Sequence, residues 1–73
     1  MSLRNKSSDT VIKILTKYYG FEIARQKGSH VSLVSKESGK VVIVPCHNPI
    51  KEPTLKSILH QAGLTKDDFL KYL

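Results

Sequence analysis

One histidine of this sequence stands in a setting that suits proton transfer at a phosphate ester. His30 follows the turn-forming pair Gly28 and Ser29, and Arg25 and Lys27 come just before that pair. A glycine in a tight turn lets a phosphate approach backbone N–H groups closely. Imidazole exchanges protons near neutral pH, so it can deprotonate a ribose 2′-hydroxyl whose oxygen then attacks phosphorus, while neighbouring cations stabilise the phosphate oxygens. His30 is therefore the candidate catalytic residue, and the alternative is a solvated histidine without a role.

The other reactive side chains are weaker candidates. His47 follows a predicted strand, where it is a second acid or base, a substrate contact or a plain surface residue. His60 lies beside the apolar stripe of a predicted helix, and we expect no chemistry from it. Cys46 is the single cysteine, which excludes an intrachain disulfide and a cysteine-based zinc site and favours a small apolar filler. Histidines and carboxylates lack the spacing of metal ligands, so the sequence predicts no metal, no cofactor and metal-independent catalysis.

Positive charge points to a polyanionic partner. The 73 residues include 12 Lys and Arg against 6 Asp and Glu, a formal net charge of +6. Cations near a nucleic-acid backbone release condensed counterions, which gives affinity without reading a base sequence. The alternative is charge that serves solubility, since the basic residues are scattered along the chain. No apolar run is long enough for a membrane span and no secretory signal is recognised, so the sequence predicts a cytoplasmic protein without a membrane partner.

Apolar residues at three- and four-residue spacing predict two main helices. The first has its N-cap at Ser8 or Asp9 and ends before Gly20, and the second ends at Gly63, since glycine accepts the left-handed conformation of a helix stop. A short third helix follows. The helical residues expected to be buried are Val11, Ile12, Leu15, Tyr18, Tyr19, Leu55, Ile58, Leu59, Ala62, Phe69 and Leu70, and the last apolar stripe can extend to Leu73.

Alternating and β-branched residues predict three strands between the main helices. These strands span residues 21–26, 30–35 and 41–44. In the middle strand, Val31 and Leu33 are expected to face the helices, so His30, Ser32 and Val34 face the other way. The order αβββα predicts an α+β fold, a two-layer sandwich with helices on one face of an antiparallel three-stranded sheet.

The two ends of the chain complete the expected organisation. Residues 1–7 carry no apolar pattern, so we predict a flexible N-terminal arm there. Residues 8–73 are long enough for one domain with one modest core. Near the end, Thr65 and Asp68 have the spacing of a capping box, which predicts the start of the short third helix.

Four segments, taken in their order and spacing, resemble one protein family. They are Gly20-Phe21, Arg25-Gln26-Lys27-Gly28-Ser29-His30, Val44-Pro45-Cys46-His47 and Thr54-Leu55-Lys56-Ser57-Ile58-Leu59-His60-Gln61-Ala62-Gly63-Leu64. Together they resemble the HicA (YcfA-like) mRNA-interferase toxins of toxin–antitoxin systems over nearly the whole domain. The resemblance implies a fold like that of a double-stranded-RNA-binding domain, which agrees with the αβββα order.

The resemblance also implies a function and a set of site residues. It implies an endoribonuclease that cleaves mRNA until a HicB-like antitoxin covers its active site, with the catalytic histidine of the family at His30. A chain of this kind is expected to be cytoplasmic and monomeric when free. The expected RNA contacts are Arg25, Lys27, Gly28, Ser29, His47, Lys51 and Lys56. Residues 51–54 depart from the commoner lysine-proline-glycine-threonine, and residues 48–50 differ as well, so the loop around His47 and Lys51 departs from the family pattern.

Two other functions remain open on the sequence alone. A noncatalytic module similar to a double-stranded-RNA-binding domain would hold A-form RNA through 2′-hydroxyl and phosphate contacts, and it would not need His30. A degenerate toxin would survive only as an antitoxin-binding domain. Cleavage of RNA separates the catalytic hypothesis from both alternatives.

Overall fold

The computed structural model describes residues 3–73, which form three helices and three strands. In chain order these are α1 (Ser8–Tyr18), β1 (Phe21–Lys27), β2 (His30–Ser35), β3 (Val41–Pro45), α2 (Glu52–Ala62) and α3 (Lys66–Leu70). The strands form one antiparallel sheet in the order β1-β2-β3. The predicted α+β fold with the order αβββα is therefore confirmed. No helix within residues 3–73 combines the length and the apolar character that crossing a bilayer requires.

The core lies between one face of the sheet and the helices. α1 packs against β1 and β3, and α2 packs against β3. On β2, Val31 and Leu33 are buried while His30 is exposed, as the alternation of side chains along a strand predicts. The buried apolar side chains from the helices are Val11, Ile14, Leu15, Leu55, Ile58, Leu59, Ala62 and Phe69. Burial of these side chains fixes the helices on one face of the sheet. Within residues 3–73, no helix covers the opposite face.

The start of α1 differs from the sequence prediction by one residue. Its N-cap is Ser7, whose side-chain oxygen accepts the N–H of Thr10 at 3.1 Å, rather than Ser8 or Asp9. Ser8 is buried, and its N–H donates to Asn48 Oδ1 at 2.8 Å. Because Asn48 lies far along the chain, residues near Ser8 could not indicate this partner.

The buried stripe of α1 also differs from the prediction. Tyr18 was expected to be buried but is 42% exposed, because its ring stacks on Tyr72 at the surface instead of entering the core. Ile14 is buried instead, and Leu73, to which the last stripe could extend, is 42% exposed. The strands are slightly longer than predicted, since β1 continues to Lys27 and β3 to Pro45.

Part of the predicted N-terminal arm contributes to the packed structure. Leu3 is fully buried, and Lys6 forms an antiparallel bridge with Ile50, whose N–H donates to the Lys6 carbonyl at 2.8 Å. Ser7 caps α1. The physical reason is that Leu3 and Ile50 supply apolar surface to the core, a contact between distant segments that local periodicity does not reveal. Residues 1 and 2 of the predicted arm lie outside the described residues.

Candidate functional site

The turn between β1 and β2 presents His30 to solvent. Gly28 and Ser29 form this turn, and Gly28 has φ of 58°, a left-handed conformation that favours glycine. His30 is exposed at the first position of β2, where the turn meets the strand. Ser29 Oγ lies 3.4 Å from His30 Nδ1, a weak contact that occupies this ring nitrogen and leaves Nε2 available to a substrate. The predicted accessibility of His30 is therefore confirmed.

A β-bulge brings two cations to the face of the sheet that carries His30. The Cα partner of His30 on β1 is Lys27, and the partner of Ser32 is Arg25. Directly opposed residues of an antiparallel pair point to the same face. The register shifts between Ile23 and Arg25, so one extra residue in β1 changes which face the following side chains occupy. Both Arg25 and Lys27 consequently share the face of His30.

The strand register defines the whole uncovered side of the sheet, here named the open face. It consists of Glu22, Arg25, Lys27, His30, Ser32, Val34, Val41, Ile43 and Pro45. Its carboxylate, Glu22, forms an ion pair with Lys36 at 3.3 Å at the end far from His30. Within residues 3–73, neither Arg25 nor Lys27 forms an ion pair. The positive charge of the open face is therefore concentrated at the end that carries His30.

The opposite neighbour of His30 is apolar. Pro45 is its Cα partner on β3, and Ile43 follows as the partner of Ser32 with 40% of its surface exposed. His30 thus lies between a lysine and a proline, with an exposed isoleucine in the next row. This arrangement offers apolar contact to a base beside the cations that suit a phosphate. Ile43 and Pro45 were not predicted as site residues, although the inward alternation of Val42 and Val44 indicates their outward direction.

The loop after β3 stays beside the turn. The N–H of Cys46 donates to the Ser29 carbonyl, so the chain leaving β3 runs along the β1–β2 turn. Cys46 is half-buried against the core, as expected of an apolar filler. His47 comes next and is exposed at this end of the sheet. Asn48, which the sequence analysis did not single out, accepts the N–H of Ser8 and anchors the loop to α1.

The remaining predicted contact residues stand on another element. Lys51 is the N-cap of α2, and Lys56 lies one turn into that helix. Lys56 Nζ approaches Glu52 Oε2 at 4.0 Å, an exposed pair that reduces the net positive charge there. Lys51 and Lys56 thus stand on a different element from the β1–β2 turn. The other predicted site residues, which lie on or beside that turn, are Arg25, Lys27, Gly28, Ser29, His30 and His47. His60 is exposed on α2. Within residues 3–73, no group of three or more His, Cys, Asp or Glu side chains is placed to hold a metal ion.

The sequence of the chain matches the model of a known protein family. A family model described as HicA toxin of bacterial toxin–antitoxin matches residues 8–64, which is more than half of the chain. The matched segment runs from the start of α1 to just beyond α2 and includes the whole sheet and the β1–β2 turn. No curated protein matches the chain.

Proposed function

This chain belongs to the HicA family of toxins of bacterial toxin–antitoxin systems, and we propose that it is an endoribonuclease with His30 as its general base. The observation that carries the proposal is the exposed imidazole on the open face, with Lys27 directly opposite and Arg25 in the next row. A proton acceptor beside fixed positive charge is the combination that phosphodiester cleavage needs.

The proposed reaction is attack by the ribose 2′-oxygen on the adjacent phosphorus. His30 Nε2 takes the proton of the 2′-hydroxyl as its oxygen forms the new bond to phosphorus. Arg25 and Lys27 stabilise the charge that builds up on the phosphate oxygens. The bond from phosphorus to the 5′-oxygen then breaks, and that oxygen receives a proton, for which exposed His47 at the same end of the sheet is the candidate donor. The products are a 2′,3′-cyclic phosphate and a 5′-hydroxyl.

Family membership supports a proposal for the substrate and the partner. Membership of a toxin–antitoxin family implies an antitoxin partner. We infer that this antitoxin is HicB-like and covers the open face around His30, and that the substrate is mRNA in the cytoplasm. The acid–base reaction proposed here uses side chains alone, without cofactor or metal, and the free toxin is proposed to act as a monomer. RNA contacts by Gly28 and Ser29 at the turn and by Lys51 and Lys56 on α2 extend the proposal.

The decisive experiment measures cleavage of labelled single-stranded RNA in the presence of a chelator. We expect the wild-type protein to cleave, and His30→Ala to cleave at least about a hundredfold more slowly, because general base catalysis contributes about that much. His30 is exposed, so the variant should keep its thermal midpoint and its RNA affinity. The matched control is His60→Ala, which removes an exposed histidine from α2 and should cleave normally.

Each other outcome contradicts part of the proposal. Full cleavage by His30→Ala would exclude the assigned base, and loss of wild-type cleavage in chelator would exclude the metal-independent mechanism. A wild-type protein that binds RNA without cleaving it would be a noncatalytic RNA-binding module. One that does neither would be an antitoxin-binding domain.

A further inference from the structure

A groove outside the β1–β2 turn combines lysines with stacked aromatic rings. It lies between α1 and the last residues of the chain and has a volume of about 240 Å³. It is lined by Thr10, Lys13, Ile14, Lys17 and Tyr18 of α1 and by Tyr72 and Leu73. None of the side chains that line the groove is acidic. The lining side chains are therefore a mixture of cationic, aromatic and apolar groups.

The two tyrosines form a fixed platform at the side of the groove. Their ring centroids are 3.9 Å apart and their planes differ by 8°, so the rings are stacked. Lys17 Nζ lies 5.4 Å from the centroid of Tyr18, and Lys71 Nζ lies 5.5 Å from that of Tyr72. Tyr19 packs edge-on against Tyr72, with an angle of 76° between the two ring planes. Because lysine side chains are flexible, a planar group can extend this stack by displacing the ammonium group of Lys17 or Lys71, which can then contact an anion attached to that planar group.

We propose that this groove is a second RNA contact, which binds a single-stranded segment by stacking a base on the Tyr18–Tyr72 pair. Lys13 and Lys17 contact the adjoining phosphates. Exposed aromatic rings beside cations are the combination by which proteins hold single strands without sequence readout. The occupant is a nucleic acid rather than a protein because both required chemistries, a planar π-surface and repeated negative charge, occur in one polymer. This inference rests on the RNA cleavage proposed above.

The position of the groove also suits one continuous substrate. α1 packs against β1, which is an edge strand of the sheet. An RNA strand leaving His30 can pass along Arg25 and Lys27 on the open face, cross this edge and continue to α1. The longest dimension of the protein is 29 Å. A long RNA therefore engages both positions, whereas a dinucleotide reaches only one of them.

The first test measures binding of single-stranded RNA longer than the protein. In the His30→Ala background, which prevents cleavage, Lys13→Ala with Lys17→Ala should weaken binding about tenfold. The slope of log affinity against log salt should fall by about 1.4, which is about 0.7 for each lost phosphate contact to a single strand. The matched control, Lys40→Ala with Lys66→Ala, removes the same charge from exposed positions outside both the groove and the open face. Equal weakening by both pairs would overturn the proposal, because general charge would then explain the effect.

The second test reports stacking directly. The sequence has no tryptophan and three tyrosines, so the intrinsic fluorescence comes from tyrosine. We expect RNA to quench this fluorescence, and Tyr18→Leu to lose part of the quenching while keeping its thermal midpoint, since Tyr18 is partly exposed. If Tyr18→Leu unfolds, the groove variant Lys13→Ala with Lys17→Ala is compared with the control lysine pair instead. Both double variants keep the tyrosine rings, so a difference in quenching between them reports binding at the groove. Unchanged quenching in Lys13→Ala with Lys17→Ala would overturn the groove as the site.

Cleavage kinetics separate this inference from the proposed catalysis. With His30 intact, Lys13→Ala with Lys17→Ala should raise KM about tenfold for long RNA and leave dinucleotide cleavage unchanged. An unchanged KM for long RNA would overturn the groove while leaving catalysis intact. Conversely, if the wild type cleaves nothing but the groove variants still weaken binding selectively, the catalytic proposal fails and the second RNA contact stands.

Discussion

Gly28 determines the shape of the turn that precedes His30. Its φ of 58° is left-handed, and a Cβ built on it would meet no atom within 4 Å. The space beside Gly28 is therefore open, and backbone conformation alone restricts the residue type there. Asparagine tolerates this conformation better than most residues, so it can keep the turn while placing a side chain in the open space.

We predict that Gly28→Asn folds normally but cleaves RNA poorly. Its side chain would occupy the space through which a phosphate approaches the backbone N–H groups, and losing about one charge-assisted hydrogen bond should raise KM about tenfold. Steady-state cleavage and a thermal midpoint measure the two effects. The matched control is Gly39→Asn, because Gly39 has φ of 73° and equally open space in the β2–β3 turn. Similar KM values for both variants would show that no phosphate approaches Gly28.

At the same scale, the sequence predicts His30 better than its neighbours. Exposure of His30 follows from the alternation of β2, because Val31 and Leu33 are strongly apolar. Simple alternation from buried Phe21 would instead place Arg25 and Lys27 on the covered face. The bulge reverses that assignment, and nothing in the residue types of β1 indicates it. The histidine was thus predictable, whereas the convergence of the cations depends on strand register.

At the scale of elements, the short helix α3 depends on its first turn. The N–H of Thr65 donates to Asp68 Oδ2 at 2.9 Å, and the N–H of Asp68 donates to Thr65 Oγ1 at 3.1 Å. This is the capping box that the sequence predicts. The backbone hydrogen bond from Thr65, followed by its side-chain contact, holds the pKa of Asp68 below its ordinary value of 3.8. Phe69 in this helix is fully buried, so the cap supports part of the core.

The lowered pKa of Asp68 predicts how stability changes with pH. The folded protein releases this proton more readily than the unfolded chain, so the charged carboxylate stabilises the fold. That contribution is complete above the ordinary carboxyl pKa and is lost as pH falls through the lower folded value. We expect Asp68→Asn to lower the urea midpoint at neutral pH, and the difference from wild type to shrink at about pH 3. Asp67→Asn, which removes the adjacent charge but leaves the box intact, is the control.

A pH-independent difference between Asp68→Asn and wild type would contradict the role of the charge.

The helix caps illustrate what sequence patterns within one element can predict. The box at α3 is local and was predicted from a three-residue spacing. The cap of α1 is Ser7, one residue before the predicted position, although its bond with the N–H of Thr10 is equally local. A local cap is therefore predictable to within about one residue, whereas the bond from Ser8 to distant Asn48 is not predictable from local pattern.

At the scale of the molecule, the fold separates two surfaces of different character. The open face carries His30 and the cations that the register gathers, and the covered face carries the helices and the groove beside Tyr18 and Tyr72. Apolar periodicity predicted this layering because one sheet face and two helical stripes need a shared core. The periodicity did not predict that residues at the start of the chain pack into that core. Leu3 is fully buried, and the bridge from Lys6 to Ile50 ties this segment to the loop before α2.

We therefore predict that Leu3 contributes to global stability although it lies outside the regular elements. Leu3→Ala should reduce the free energy of unfolding by about 2–4 kcal/mol, the usual cost of removing a buried leucine side chain. In so small a protein this is a large part of the total, so urea denaturation should show a clearly lower midpoint. Leu73→Ala is the matched control, since Leu73 is 42% exposed and should lose little. Equal midpoints for the two variants would mean that Leu3 is not part of the core. A loss of stability for Leu3→Ala alone would show that the cooperatively folded unit includes residues that lack any apolar periodicity.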